Sequence, residues 1–131
     1  MASSKAKLLA SMDPFTKAYC QTALWSTIDQ DNSKTHQESL DKNYGIEDIS
    51  VETLREMIKD CRAFQKDNQQ LLEDSGMSYA RAGQDFWLTR ERHGAGFWDE
   101  GIGELGRKLT DAAHAYGGYD LYSFEGEVHS N

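Results

Sequence analysis

Between Arg90 and Asp99 the chain gathers Arg90, Glu91, Arg92, His93 and Asp99, with Glu100 and Glu104 just beyond. These residue types can move protons or hold a polar ligand. Histidine exchanges protons near neutral pH, and a carboxylate beside it can orient the ring. His93 as general base with Asp99 as its orienting carboxylate is the catalytic expectation. The competing expectation is that Arg90, His93 and Asp99 brace a glycine-rich loop through hydrogen bonds, and the spacing favours bracing or binding because it matches no mechanistic motif. Trp87, Arg90, Arg92, His93, Trp98 and Asp99 form the candidate binding set, since tryptophan and arginine are enriched at the energetic centres of interfaces.

Other chemistries find less support. Gly101-Ile102-Gly103-Glu104-Leu105-Gly106 spells GxGxxG, but that fingerprint needs a strand immediately before it in a βαβ unit. The carboxylates of Asp99, Glu100 and Glu104 would also repel phosphate. Tight packing of a loop on a helix explains the glycines more simply. Cys20 and Cys61 are the two cysteines. Their spacing suits no structural zinc site, and two buried thiols are expected rather than a disulfide. His36 lies among polar residues and reads as exposed, as does His114; His129 reads as incidental. No GxSxG, HExxH, Walker loop or EF-hand occurs, and neither a metal nor a cofactor is expected.

The stretch that must position these residues runs from Asp85 to Gly106, DFWLTRERHGAGFWDEGIGELG. Asp85 to Arg90 alternates as a strand, with Phe86 and Leu88 on one face and Trp87 and Thr89 on the other. Phe97-Trp98 resumes after Gly94 and Gly96, which predicts a β-hairpin. DFWLTR, two residues, then HGAGFWD, followed by GIGELGRKLTDAA, AYG and DLY, resembles a family of small proteins encoded by bacteriophages and prophages. Upstream, DPF, TALW and NYGIEDIS are similar to the same family, so the resemblance spans Asp13 to about Tyr122. It carries over no catalytic or binding residue. It implies a phage origin and action inside a bacterial cell, in the cytoplasm. Met12-Asp13-Pro14-Phe15 resembles the family's usual start, which makes 1–12 a flexible N-terminal extension.

Elsewhere the pattern is helical. Asp13-Pro14 is a helix start, an N-cap followed by proline in the first turn. The helix is expected to reach about Ile28, with Trp25 in the core. Asp29 to Asp48 reads as a long polar loop pinned by Tyr44 and Ile46. Ser50 caps a second helix predicted over 51–74, and Gly76 stops it. Ser78 to Ala82 reads as one helical turn halted at Gly83. A third helix is predicted from about Glu104 to Tyr116. Tyr119 to Phe124 and Glu127 to His129 read as a second hairpin about Glu125-Gly126. The expected fold is therefore α+β: a small antiparallel sheet of about four strands in two hairpins, packed by two long helices and one further helix, in a single domain over 13–131.

Composition narrows the function. The 131 residues carry 22 acidic and 14 basic side chains, a formal charge of −8. That disfavours direct nucleic-acid binding, which depends on neutralising phosphate, and favours a basic protein surface as partner. All the acids but Asp13 fall in 29–74 and 85–131, interleaved with bases, as expected of a solvated surface rather than a dedicated mimic of DNA. No stretch has the length of a membrane-spanning helix, nor the apolar run of a signal peptide. The leading expectation is a small phage protein that binds a host protein and modulates or inhibits it, a defence or nucleic-acid-processing system being the expected target class. An enzyme or small-ligand binder using the HGAG loop is the first alternative. A virion or structural accessory protein, assembling as a homo-oligomer, is the second.

Overall fold

The computed structural model describes residues 4–29 and 38–131. Among them the elements are α1 Ser4–Ala10, α2 Pro14–Ser26, α3 Val51–Asp67, α4 Gln69–Ser75, α5 Tyr79–Arg90, α6 Glu104–His114, β1 Leu121–Phe124 and β2 Glu127–Ser130, with short 3₁₀ turns at Leu40–Lys42, Ile46–Asp48 and Phe97–Asp99. The fold is α+β and rich in helix. The described residues form one two-stranded antiparallel sheet rather than the expected four strands.

The largest correction concerns α5. Asp85 to Arg90, expected as a strand, is the second half of a helix that starts at Ser78, whose Oγ accepts from the Arg81 amide at 3.1 Å. Gly83 does not stop it. A Cβ there would collide with the Phe15 carbonyl oxygen and lie 2.9 Å from the carbonyl carbon, so glycine is what lets α2 and α5 cross closely. Asp85 through Arg90 are all buried. A helix covered on every side has no polar stripe to reveal its 3.6-residue period, and the alternating aromatics imitate a strand.

The expected first hairpin is instead a helix ending. Arg92 takes a left-handed conformation, φ 54°. Its amide donates to the Thr89 carbonyl at 3.0 Å and the His93 amide to the Leu88 carbonyl at 2.8 Å, the pair of bonds that closes a Schellman cap. The chain then doubles back through the turn Phe97–Asp99. The Phe97 amide donates to Thr89 Oγ1 at 3.1 Å. Gly106 packs under the same turn, where a Cβ would sit 2.7 Å from the Phe97 carbonyl oxygen.

α2 begins as expected, with the Thr16 amide donating to Asp13 Oδ1 at 2.8 Å. Trp25, expected in the core, is 47% exposed. It falls on the outer stripe with Lys17 and Gln21, at helical spacing of four. The predicted helix over 51–74 breaks at Asn68, whose Nδ2 donates to the Phe64 carbonyl at 2.9 Å. The leader expected over 1–12 is helical from Ser4; Leu8 and Leu9 pack half-buried on the core and Met12 is buried. His36 lies outside the described residues. Cys20 and Cys61 are buried free thiols.

The second hairpin forms as predicted. Leu121 pairs with Ser130 and Phe124 with Glu127, across a turn in which Glu125 (φ 49°) and Gly126 (φ 82°) are both left-handed. The hairpin docks on the start of α3, where the Ser50 amide donates to the Val128 carbonyl at 2.8 Å. At the centre, Phe64 stacks on Phe86 with ring centroids 4.1 Å apart, and Phe15, Tyr19, Phe97 and Tyr116 complete the cluster. Each fully buried ring contributes roughly 1.5–3 kcal/mol over leaving it exposed. No helix among the described residues is long and apolar enough to cross a membrane.

Candidate functional site

The six residues of the candidate set separate into core and surface. Trp87 and Arg90 are buried at 1% and 4% exposure. Arg92, His93, Trp98 and Asp99 are exposed. The candidate set is therefore not one continuous surface.

Arg90 is a core cation. Its Nη1 donates to the Tyr19 hydroxyl at 2.9 Å and to Asp60 Oδ2 at 3.0 Å. Its Nε donates to the Gly117 carbonyl at 2.8 Å and its Nη2 to the Tyr116 carbonyl at 3.2 Å. The guanidinium also lies over the rings of Phe86, Tyr116 and Tyr119, 5.2–5.6 Å from their centroids. With its charge paired and four of its five N–H donors bonded, Arg90 ties α5 to α2, α3 and the end of α6.

Asp99 does not orient His93. Its Oδ1 accepts from the Gly96 amide at 3.0 Å and caps the turn, and no hydrogen bond or ion pair joins it to His93 among the described residues. Asp99 faces another polar centre, formed by Arg81, Asp85 and Glu100. Arg81 bonds both oxygens of Glu100, at 2.5 and 3.2 Å, and lies 4.0 Å from Asp85 Oδ1. Burial, with the Glu100 carboxyl in hydrogen-bonding reach, pushes Asp85 up to about 8. The hydrogen bond from Asp85 and the nearby Arg81 hold Glu100 low. Oδ2 of Asp85 is buried, and among the described residues no donor bonds to it. A proton on Asp85 resolves that, making it a donor to Glu100. Asp85, Glu100 and Arg81 line neither the groove beside His93 nor the one beside Asp13, and this centre braces the turn against α5.

His93 opens onto a groove of about 510 Å³ at the C-terminal end of α5. Ser26, Thr27 and Ile28 form one wall, Trp87, Glu91 and His93 the second, and Tyr119, Asp120, Leu121, Tyr122 and Asn131 the third. The Schellman cap aims the chain here. Trp87 presents its indole edge, with Nε1 donating to Ser26 Oγ at 2.8 Å. Glu91 Oε1 accepts from the Tyr119 amide at 2.6 Å. Burial raises the Glu91 carboxyl; the Tyr119 bond and Arg90 oppose the rise, Asp120 adds to it, and His93 counters it slightly. The carboxylate in range of His93 is thus Glu91. Glu91, Tyr119 and Asp120 were not singled out from the sequence; Glu91 stood in the RERH run, but only the C-terminal hairpin brings the other two to it.

A smaller groove of about 390 Å³ lies beside Asp13, Phe15, Gln65, Leu72 and Tyr79. Two of its polar groups are paired with each other, Gln65 Nε2 donating to Asp13 Oδ2 at 3.2 Å. Among the described residues, no group of three or more His, Cys, Asp or Glu side chains is arranged to hold a metal ion. No protein-family model, curated protein or solved structure matches this chain.

Proposed function

We propose that this chain is a small phage or prophage protein that acts in the bacterial cytoplasm by binding a host protein and modulating or inhibiting it. The supporting observation is an exposed apolar surface continuous with the His93 groove. Ile28 and Tyr122 line the groove and are 39% and 38% exposed, and Phe124, on the same face of β1, is 55% exposed. His129 on β2 packs against both aromatic rings, at 5.6 and 6.2 Å. Rigid aromatic side chains held at the surface beside a polar groove are what interface centres use. The acidic balance of the chain adds long-range attraction to a basic partner.

The test is affinity capture from host lysate with wild type and a Tyr122→Ser/Phe124→Ser double variant, both confirmed folded by circular dichroism. The wild type retains a host protein in stoichiometric amount and the double variant loses it. Equal retention by both, or by neither, overturns the reading.

A second reading, a small-ligand or catalytic site on the HGAG loop, draws on one observation: His93 and Glu91 share a groove. A folded His93→Ala protein with undiminished effect in host cells removes it.

A further inference from the structure

We propose that the outer flank of α3 is a docking surface for an acidic helix of a partner protein, with an apolar side chain of that helix seated in the groove beside Tyr79. α3 sorts its charges by sign. On a helical wheel Arg55, Lys59, Arg62 and Lys66 fall in a band about 60° wide and about 16 Å long. Glu52, Glu56, Asp60 and Asp67 occupy the band beside it. The four cations are exposed. Among the described residues none of their side chains makes a hydrogen bond or ion pair, whereas Lys5, Arg81, Arg90 and Arg107 each pair with a carboxylate. Asp13 lies within longer range of Arg62, but its two oxygens accept from the Thr16 amide and from Gln65. In a chain of 22 acids and 14 bases, a line of cations without carboxylate partners is a site for outside anions.

The stripe runs into a groove, and Lys66 belongs to both. Phe15 and Leu72 line that groove but are buried, so its available apolar surface comes from Pro14 and Tyr79, which are exposed, Tyr79 at 55%. The whole-chain charge of −8 does not cancel the stripe, because charges are screened beyond about 8 Å at physiological salt. Like charges three and four residues apart repel one another along a helix, and bound carboxylates relieve that repulsion. The successive spacings of four, three and four residues are those of one helical face. A partner helix with acids at the same spacing therefore meets the cations in step, and its neighbouring apolar position supplies the group for the groove. A polynucleotide is the competing polyanion. It offers a charge at every unit but no apolar side chain, and the net charge of this chain opposes it. The stripe shares no residue with the Ile28, Tyr122 and Phe124 surface.

The experiment titrates ¹⁵N-labelled protein with an alanine-based helical peptide that carries glutamates at the same spacing and a leucine one turn beyond the last of them. A lysine-for-glutamate peptide and an oligothymidylate are titrated separately. The glutamate peptide is expected to shift the amides of Arg55, Lys59, Arg62, Lys66 and Tyr79 saturably, and the lysine peptide to leave them unmoved. The Arg62→Gln/Lys66→Gln variant should bind the glutamate peptide about tenfold more weakly, the scale of a few exposed ion pairs lost together. These side chains are exposed and unbonded, so the variant keeps its fold. Tyr79→Ser should weaken the leucine peptide and leave a leucine-to-serine peptide unchanged. The Tyr122→Ser/Phe124→Ser variant should bind the glutamate peptide as wild type does, which separates this surface from the one above. No saturable shift along α3, an equal response to the lysine peptide, or undiminished binding by Arg62→Gln/Lys66→Gln overturns the proposal. Tighter binding of the oligothymidylate to the same amides overturns the acidic helix in favour of a phosphate backbone.

Discussion

Arg90 of α5 donates to the Tyr19 hydroxyl of α2 at 2.9 Å, inside the aromatic core and 71 residues away in the chain. Asp60 of α3 shares the same nitrogen at 3.0 Å. One planar group thus holds three helices and the carbonyls that follow α6. Arg90→Ala should cost about 3 kcal/mol, because it leaves buried acceptors without donors. Arg90→Lys should recover little of this, since a single ammonium cannot reach acceptors spread around a fork. Urea unfolding of both variants measures it; a fully stable Arg90→Lys protein would contradict the assignment.

Gly83→Ala tests the helix crossing. Its added methyl meets the Phe15 carbonyl oxygen, which is backbone and cannot swing aside. α2 and α5 must separate, at a cost of about 1–3 kcal/mol despite alanine's better helix propensity. A stabilised Gly83→Ala protein, by thermal unfolding, would show that the two helices do not cross there.

Asp85 makes stability depend on pH in an unusual direction. Its folded value is raised to about 8, against an unfolded value of about 3.9. Between those values the folded chain holds a proton that the unfolded chain has lost. The Asp85 contribution is therefore fully present below about pH 4 and is lost as pH rises toward 8. Glu100, held low, behaves oppositely: its contribution is present above about pH 4.3 and is lost below it. Asp85→Asn replaces the proton with a permanent amide donor to Glu100. It should gain stability over wild type at pH 8 and flatten the decline between pH 5 and 8, read from urea midpoints. An unchanged decline would show that Asp85 is ionised in the folded protein.

The tryptophans should respond in opposite ways. Trp87 is 1% exposed and Trp98 is 57% exposed. Trp87→Ala should cost about 3–5 kcal/mol, the range for emptying a core aromatic site. Trp98→Ala should stay within about 0.5 kcal/mol of wild type. Equal losses in thermal unfolding would place both rings in the core.

What the sequence determined by itself is the set of features whose energy is settled within a few residues. Asp13-Pro14 and Ser50 mark helix starts because a side-chain oxygen reaches an amide three positions on. Gly76, with φ 72°, stops α4, and Glu125-Gly126 closes a hairpin whose register follows from its turn. Tertiary structure decided the rest. Asp85–Arg90 is helical because α2 and its neighbours cover every side of it, and full burial erases the periodic signal that distinguishes helix from strand. Trp25, Trp87 and Trp98 are chemically alike, and only the neighbours that cover each one sort core from surface. The groove joins Ser26–Ile28, Glu91–His93 and Tyr119–Tyr122, segments that no local pattern connects. They meet because α2 and α5 end side by side and the C-terminal hairpin, docked on α3, closes the third wall.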